Sequence, residues 1–267
     1  MPIASVNTSV TSPTRCFFRI EPDHKHLKSI LKSFLAYHPL KETRVIRDFL
    51  KQAELNNPDG RPLSYTSDYE GDLIYSLIKD GELSRCLETG FATGSTALYM
   101  LFAAEEFDGN VLSIDIADPL PNDIGKRNVA QAGFGERHQL IEQNSNQVIP
   151  KLFLAGQTFD FVYIDGWKSF DHLAFELYMI DHMLSKGGII LFDDTYMPGV
   201  RQSIRLLQRY YAYEEIDYEK YGQGWCLRIL QTLTVKSMFR PYRALRKTLE
   251  TDKQPRLTDP YFHLRVG

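Results

Sequence analysis

The sequence predicts a doubly wound α/β fold: a mostly parallel sheet with helices on both faces and an antiparallel hairpin at one edge. Three observations lead there. Short apolar runs alternate with helical stretches of about a dozen residues, the rhythm of βαβ units. A glycine turn joins one run directly to a helix, and carboxylates stand at the ends of several others.

Residues 1–20 are rich in Ser, Thr, Pro and Asn, carry no apolar period and are expected to be mobile. From Asp23 to Leu55 the spacing is helical, through Leu27, Ile30, Leu31 and Leu35 and, after a break at Pro39, through Val45, Ile46, Phe49 and Leu50. The turn cluster Asn56 to Pro62 closes this helical preface, so residues 1–62 read as a lid or a dimer contact. Residues 63–231 form the main domain. Its strand-like runs are Cys86–Leu87, Val111–Ile114, Gln139–Ile141, Phe161–Ile164 and Ile189–Phe192. After Ser169, the stripe Leu173, Leu177, Ile180 and Leu184 predicts a buried helix ended by Gly187-Gly188. Ala212–Ile216 and Trp225–Leu230, flanking a turn-like segment, predict the edge hairpin. Residues 232–267 turn basic, with Lys236, Arg240, Arg243, Arg246 and Lys247, and read as a solvated helix.

A chain of 267 residues with a formal charge of −3 offers no reason to expect nucleic acid or an anionic membrane as partner. No apolar run could span a bilayer, and the N-terminus lacks a signal-peptide layout. Cys16, Cys86 and Cys226 make no CxxC pair or zinc-like cluster, which suits a reduced, cytoplasmic protein.

The segment Cys86 to Leu101 places strand, glycine turn and helix in succession. Gly90 lets the chain leave the strand, and Gly94 opens a helix whose free N–H groups are expected to face a ligand. The spacing is GxxxG rather than GxGxxG, with Glu88 two residues before the first glycine. An anion there would repel a pyrophosphate and suit a positively charged ligand. Asp115 ends the run VLSID, where a carboxylate can accept both hydroxyls of a ribose.

Two further runs end in acids, one at Asp165 and the next at Asp193-Asp194. In a parallel sheet these converge at one rim beside the glycine loop. Three gathered carboxylates repel unless a cation neutralises them, and an oxygen-only set suits Mg²⁺ or another hard divalent ion. Lys168 follows Asp165 by three residues. From spacing alone it reads as an exposed lysine at a helix start, yet a nearby divalent cation would disfavour its ammonium form. His172 and His182 read as surface or packing residues of the following helix. Tyr65, Tyr69, Phe91 and Tyr196, with Met197 and Pro198, are candidates for an apolar acceptor slot.

The ExGxxxG loop with its strand-end acid resembles the class I S-adenosylmethionine-dependent methyltransferases, over about Asp68 to Leu230. That resemblance implies a Rossmann-like sheet, Glu88, Gly90 and Gly94 around the methionine part, and Asp115 at the ribose. The segment from Asn144 resembles the family's adenine side, which implies Ser145 and Asn146. IDGWK followed by FDDTYMPG is similar to the motif pair of catechol O-methyltransferase-like enzymes. It implies Asp165, Asp193 and Asp194 as magnesium ligands, Lys168 as general base, and Asp165 and Trp167 beside the cofactor. Gly166 departs from that group, which often carries there a side chain that touches the adenine; Asp194 replaces an amide used by some members.

The expectation is an enzyme that transfers a methyl group from S-adenosylmethionine to a hydroxyl of a small molecule with vicinal oxygens, such as a catechol-like phenol or natural product. The alternatives are a sugar or antibiotic O-methyltransferase of the same fold, a non-catalytic S-adenosylmethionine-binding protein, and a nicotinamide-dependent oxidoreductase. The last lacks its GxGxxG.

Overall fold

The computed structural model describes residues 39–55, 66–116, 123–217 and 241–251. Within them lie α1 (Arg44–Leu55), α2 (Asp68–Gly81), β1 (Arg85–Thr89), α3 (Ser95–Ala104) and β2 (Asn110–Asp115). There follow α4 (Ile124–Gln131), β3 (His138–Glu142), α5 (Ser145–Leu154), β4 (Phe159–Ile164) and α6 (Phe170–Met183). The last are β5 (Leu184–Phe192), α7 (Pro198–Tyr210), β6 (Tyr213–Glu215) and β7 (Arg243–Lys247). None of the described helices is long and apolar enough to cross a membrane.

The strands form one sheet in the order β3-β2-β1-β4-β5-β7-β6. The first five in that order pair in parallel, and β7 runs antiparallel to both β5 and β6. Alternate residues of a strand face opposite sides, and here both sides are buried, which explains the near-continuous apolar runs. Cys86, Phe161, Tyr163, Ile189 and Leu191 share one core with Ile46, Leu73, Leu98 and Val129 of α1 to α4. Leu87, Val162, Ile164, Ile190 and Phe192 share the other with Val148, Leu177 and Ile204 of α5 to α7. This is the three-layer, doubly wound arrangement expected, with an antiparallel edge.

Local chemistry sets the helix ends. The Ser67 hydroxyl accepts the Glu70 N–H at 3.2 Å to start α2, and Glu82 ends it in the left-handed region at φ 51°. Pro198 begins α7, where its missing N–H leaves no bond unmade.

Two expectations need correction, the end of α6 and the nature of the basic stretch after residue 232. Helix α6 stops at Met183, and Leu184 with Gly187-Gly188 belongs to β5; Gly187 takes φ +85° beside the register shift between β4 and β5. The antiparallel edge is present, as β6 with β7 (Arg243–Lys247); the expected strand Trp225–Leu230 lies outside the described residues. The stretch Arg243–Lys247, read as solvated helix, is an internal strand in which Ala244, Leu245 and Lys247 are buried. Its basic composition masked the alternation, because the buried lysine is held by partners remote in sequence. Tyr65, Cys16, Cys226, Lys236 and Arg240 also lie outside the described residues, whereas Cys86 is a buried free thiol as expected.

Candidate active site

Strand order reverses between β1 and β4, and the parallel strands leave a crevice beyond their carboxyl ends there. A cleft of about 670 Å³ occupies that place. It is lined by Gly90 and Phe91 after β1, Asp115 at the end of β2, Asn144 and Ser145 after β3, and Asp165 to Trp167 after β4.

The rim is built by backbone ties between strand ends. Gly90 N–H donates to Ile114 O and Asp165 N–H to Thr89 O, both at 2.9 Å. Gly90 takes φ +91°, and a Cβ there would stand 2.7 Å from the Asp165 carbonyl oxygen, so only glycine lets the loop pass. One oxygen of Asp115, Oδ2, accepts the N–H groups of Phe91 and Ala92, each at 2.8 Å. Asp115 therefore braces the glycine loop as well as lining the cleft, and Ala92 is held at φ +42° beside it.

Beside the cleft, the carboxylates of Asp165, Asp193 and Asp194 offer oxygens within 4.8 Å of one another. Lys168 Nζ sits among them, 2.8 Å from Asp165 Oδ1, 3.7 Å from Asp194 Oδ2 and 3.9 Å from Asp193 Oδ2. Its side chain is only 11% exposed, so it is not the solvated lysine that spacing alone suggested. Burial, then repulsion by Asp165, pushes the Asp193 carboxyl up to about 7, against the pull of Lys168. Burial likewise raises Asp165, opposed by Lys168. One ammonium thus leaves the three acids short of positive charge. An all-oxygen donor set with unbalanced negative charge fits a hard divalent cation.

Matched against known families, residues 87–195 correspond to a methyltransferase domain. The match runs from β1 through the loop after β5 and so takes in the cleft and its three acids. Catechol O-methyltransferase B of Danio rerio is 28% identical over 102 residues, 37% of this chain and 38% of the relative. The alignment therefore spans well under half the length of that curated relative. The S-adenosylhomocysteine-bound methyltransferase PaMTH1 of Podospora anserina is similar with a TM-score of 0.56 at 16% identity, over 91% of this chain and 100% of that one. TomG of Streptomyces achromogenes, an O-methyltransferase involved in tomaymycin synthesis and solved with S-adenosylmethionine, gives 0.53 at 16% identity, over 84% and 96%. At such identities the structural likeness establishes the fold.

The fold brings Gly90, Asp115, Ser145, Asp165 and Trp167 to the cleft wall; Asn146 is not among the lining residues, and its amide nitrogen stands 2.9 Å from His172 Nδ1. Glu88 and Gly94 stand elsewhere. Glu88 is fully buried within β1, where it accepts the hydroxyls of Thr96 at 2.7 Å and Ser113 at 2.6 Å and does not line the cleft. Burial pushes its carboxyl up to about 8, so at neutral pH it is largely uncharged rather than an anion facing a cation. Gly94 caps α3 at φ +72°, packed against Phe91 and the Gly125 carbonyl; both of these residues line the cleft and Gly94 itself does not.

His172 was expected to be a surface or packing residue, and Glu70 carried no expectation. His172 lines the cleft, and Glu70 is buried, accepting the hydroxyls of Tyr163 and of Tyr242, the latter at 3.0 Å. An i, i+4 His–Glu pair at His172 and Glu176 was the available signal for the first; nothing local marked Glu70, whose partners are 93 and 172 residues away.

Proposed function

We propose that this domain transfers a methyl group from S-adenosylmethionine to a hydroxyl of a small molecule with neighbouring oxygens. The observation that carries the reading is the cluster of Asp165, Asp193 and Asp194 around Lys168 at the edge of a ligand-sized cleft. S-adenosylmethionine supplies an electrophilic methyl group on a sulfonium centre. Gly90 and Asp165 would border its methionine part, Asp115 the ribose, Ser145 and Asn146 the base, and Trp167 its outer side.

Asp165, Asp193 and Asp194 would hold Mg²⁺, whose charge acidifies a nearby acceptor hydroxyl. Lys168 would take the proton from that hydroxyl, its Nζ kept in place by the three carboxylates. Tyr69, Phe91 and Tyr196 remain candidates to shape the acceptor slot. Reaction requires the hydroxyl and methyl donor to be aligned and shielded from water, and such alignment can be worth roughly 7–11 kcal/mol.

Release of S-adenosylhomocysteine from S-adenosylmethionine, followed over a panel of catechols, sugar diols and hydroxylated natural products, tests this reading and selects the acceptor class. With Mg²⁺, Lys168→Met should lower turnover by on the order of 10²–10⁴ while cofactor affinity stays within a few-fold. Undiminished turnover in excess EDTA would remove the metal from the scheme, and undiminished turnover in Lys168→Met would remove the base.

A further inference from the structure

The loop that carries Lys168 and the first turn of α7 meet through backbone atoms at Gly199. A Cβ at Gly199 would stand 2.2 Å from the Lys168 carbonyl oxygen, 2.9 Å from the Phe170 nitrogen and 3.2 Å from the Ser169 carbonyl carbon. Gly199 is the second residue of α7 and is not among the glycines in the left-handed region, so its φ does not call for glycine. Inside a helix alanine is otherwise the better residue. What calls for glycine here is the closeness of the backbone from Lys168 to Phe170.

The two sides of this contact are not equally firm. On the α7 side, Val200 and Ile204 are fully buried in the core, and the Ser203 hydroxyl donates to the Gly199 carbonyl at 2.9 Å. Met197 N–H donates to the Asp194 carbonyl at 2.8 Å, which ties this turn to the strand end bearing Asp193 and Asp194. On the other side, Gly166 to Ser169 belong to no helix or strand, and Trp167 is 68% exposed. A side chain at position 199 would therefore displace the loop, and Lys168 with it. Relief from 2.2 Å to an ordinary contact takes a movement on the order of 1 Å. Lys168 Nζ has little room for that, since it lies within 3.9 Å of all three acids. A base must also reach the hydroxyl it deprotonates, and a misplacement of about 1 Å can cost on the order of 10² in rate. Neither Gly199 nor Lys168 lines the cleft, so placing the base is separable from binding the cofactor.

We propose that Gly199 is a positioning residue: by letting the first turn of α7 close against the Lys168 backbone, it sets where the base stands. This rests on the role of Lys168 proposed above and deepens it. Steady-state turnover with Mg²⁺ and the acceptor that the panel selects tests it, in a cycle of Gly199→Ala, Lys168→Met and the double variant. Gly199→Ala should lower kcat by roughly 10–100-fold and leave the acceptor KM and the calorimetric affinity for S-adenosylhomocysteine within about three-fold. In the Lys168→Met background the same substitution should lower kcat by less than about two-fold, because no base is left to misplace. A merely structural role would lower both backgrounds alike. Val200→Ala is a second probe: it loosens the same turn without adding an atom, and should lower kcat several-fold only where Lys168 is present. Full turnover in Gly199→Ala, or equal losses in the two backgrounds, overturns this inference alone. Where Gly199→Ala does not fold, full turnover or equal losses with Val200→Ala do the same. Undiminished turnover in Lys168→Met, or a wild type that methylates no member of the panel, overturns the proposed function and this inference with it.

Discussion

Ser113 stands between a buried carboxyl and a half-buried imidazole whose protonation is set in opposite senses. Its Oγ lies 2.6 Å from Glu88 Oε1 and 2.7 Å from His138 Nε2. Burial pushes Glu88 up to about 8 and His138 down to about 4. Folded Glu88 keeps a proton that the unfolded chain loses above its ordinary value of 4.5, so its stabilisation is whole below that pH and lost as pH rises through 8. His138 works the other way: its stabilisation is whole above its ordinary value of 6.5 and lost as pH falls through 4. From 4.5 to 6.5 the two oppose each other; above 6.5 His138 no longer contributes to the slope, and above the Asp193 value of about 7 Glu88 carries it to 8. Thermal melts should therefore show wild-type stability falling across that upper interval, by up to about 1.4 kcal/mol per pH unit. Glu88→Gln should lower that slope, most clearly between 7 and 8, above the value of about 7 at which the Asp193 carboxyl titrates; an equal slope in the variant would assign the titration elsewhere.

At the scale of elements, the loop after β1 and the loop after β4 touch through backbone alone. Gly90→Ala would drive a Cβ to 2.7 Å from the Asp165 carbonyl in a left-handed conformation. We expect it to cost about 1–3 kcal/mol of stability and to weaken S-adenosylhomocysteine binding, because Asp165 must move with its carbonyl. Gly133→Ala is the matched control: at φ +88° it has the same conformational cost, but its Cβ would meet nothing within 4 Å. It should lower the melting temperature and leave binding alone. Equal binding losses in both variants would show that the Gly90–Asp165 contact does not shape the cleft.

Across the whole molecule, the cleft lies at one end of the sheet and a buried charge network at the other. Lys247 Nζ donates to the Leu184 carbonyl at 2.8 Å and lies 3.5 Å from Asp181 Oδ1, which also accepts the Tyr213 hydroxyl at 2.8 Å. This joins β7, α6, β5 and β6, and burial lowers the Lys247 ammonium from its ordinary range. Removing one member of a buried pair leaves the other uncompensated, so Lys247→Met should cost about 3–5 kcal/mol by denaturant unfolding. Adding Asp181→Leu should recover much of it, and cofactor affinity of the folded fraction should not change in either variant. A Lys247→Met protein as stable as the wild type would mean that β7 is held by its strand pairing alone.

The sequence by itself determined what depends on short-range pattern. Apolar runs became β1 to β5, the glycine turn became the β1 loop, and the strand-end acids Asp165, Asp193 and Asp194 did meet around Lys168, because a parallel sheet carries all its strand ends to one rim. Tertiary structure decided what depends on which polar group is buried against which. It turned Glu88 inward to Thr96 and Ser113, drew a basic segment into the sheet as β7, and set His172 against Ser145, Asn146 and Glu176 at the cleft wall. A polar side chain is tolerated inside only where partners satisfy it, and those partners come from elements far apart in the chain, where no local period can announce them.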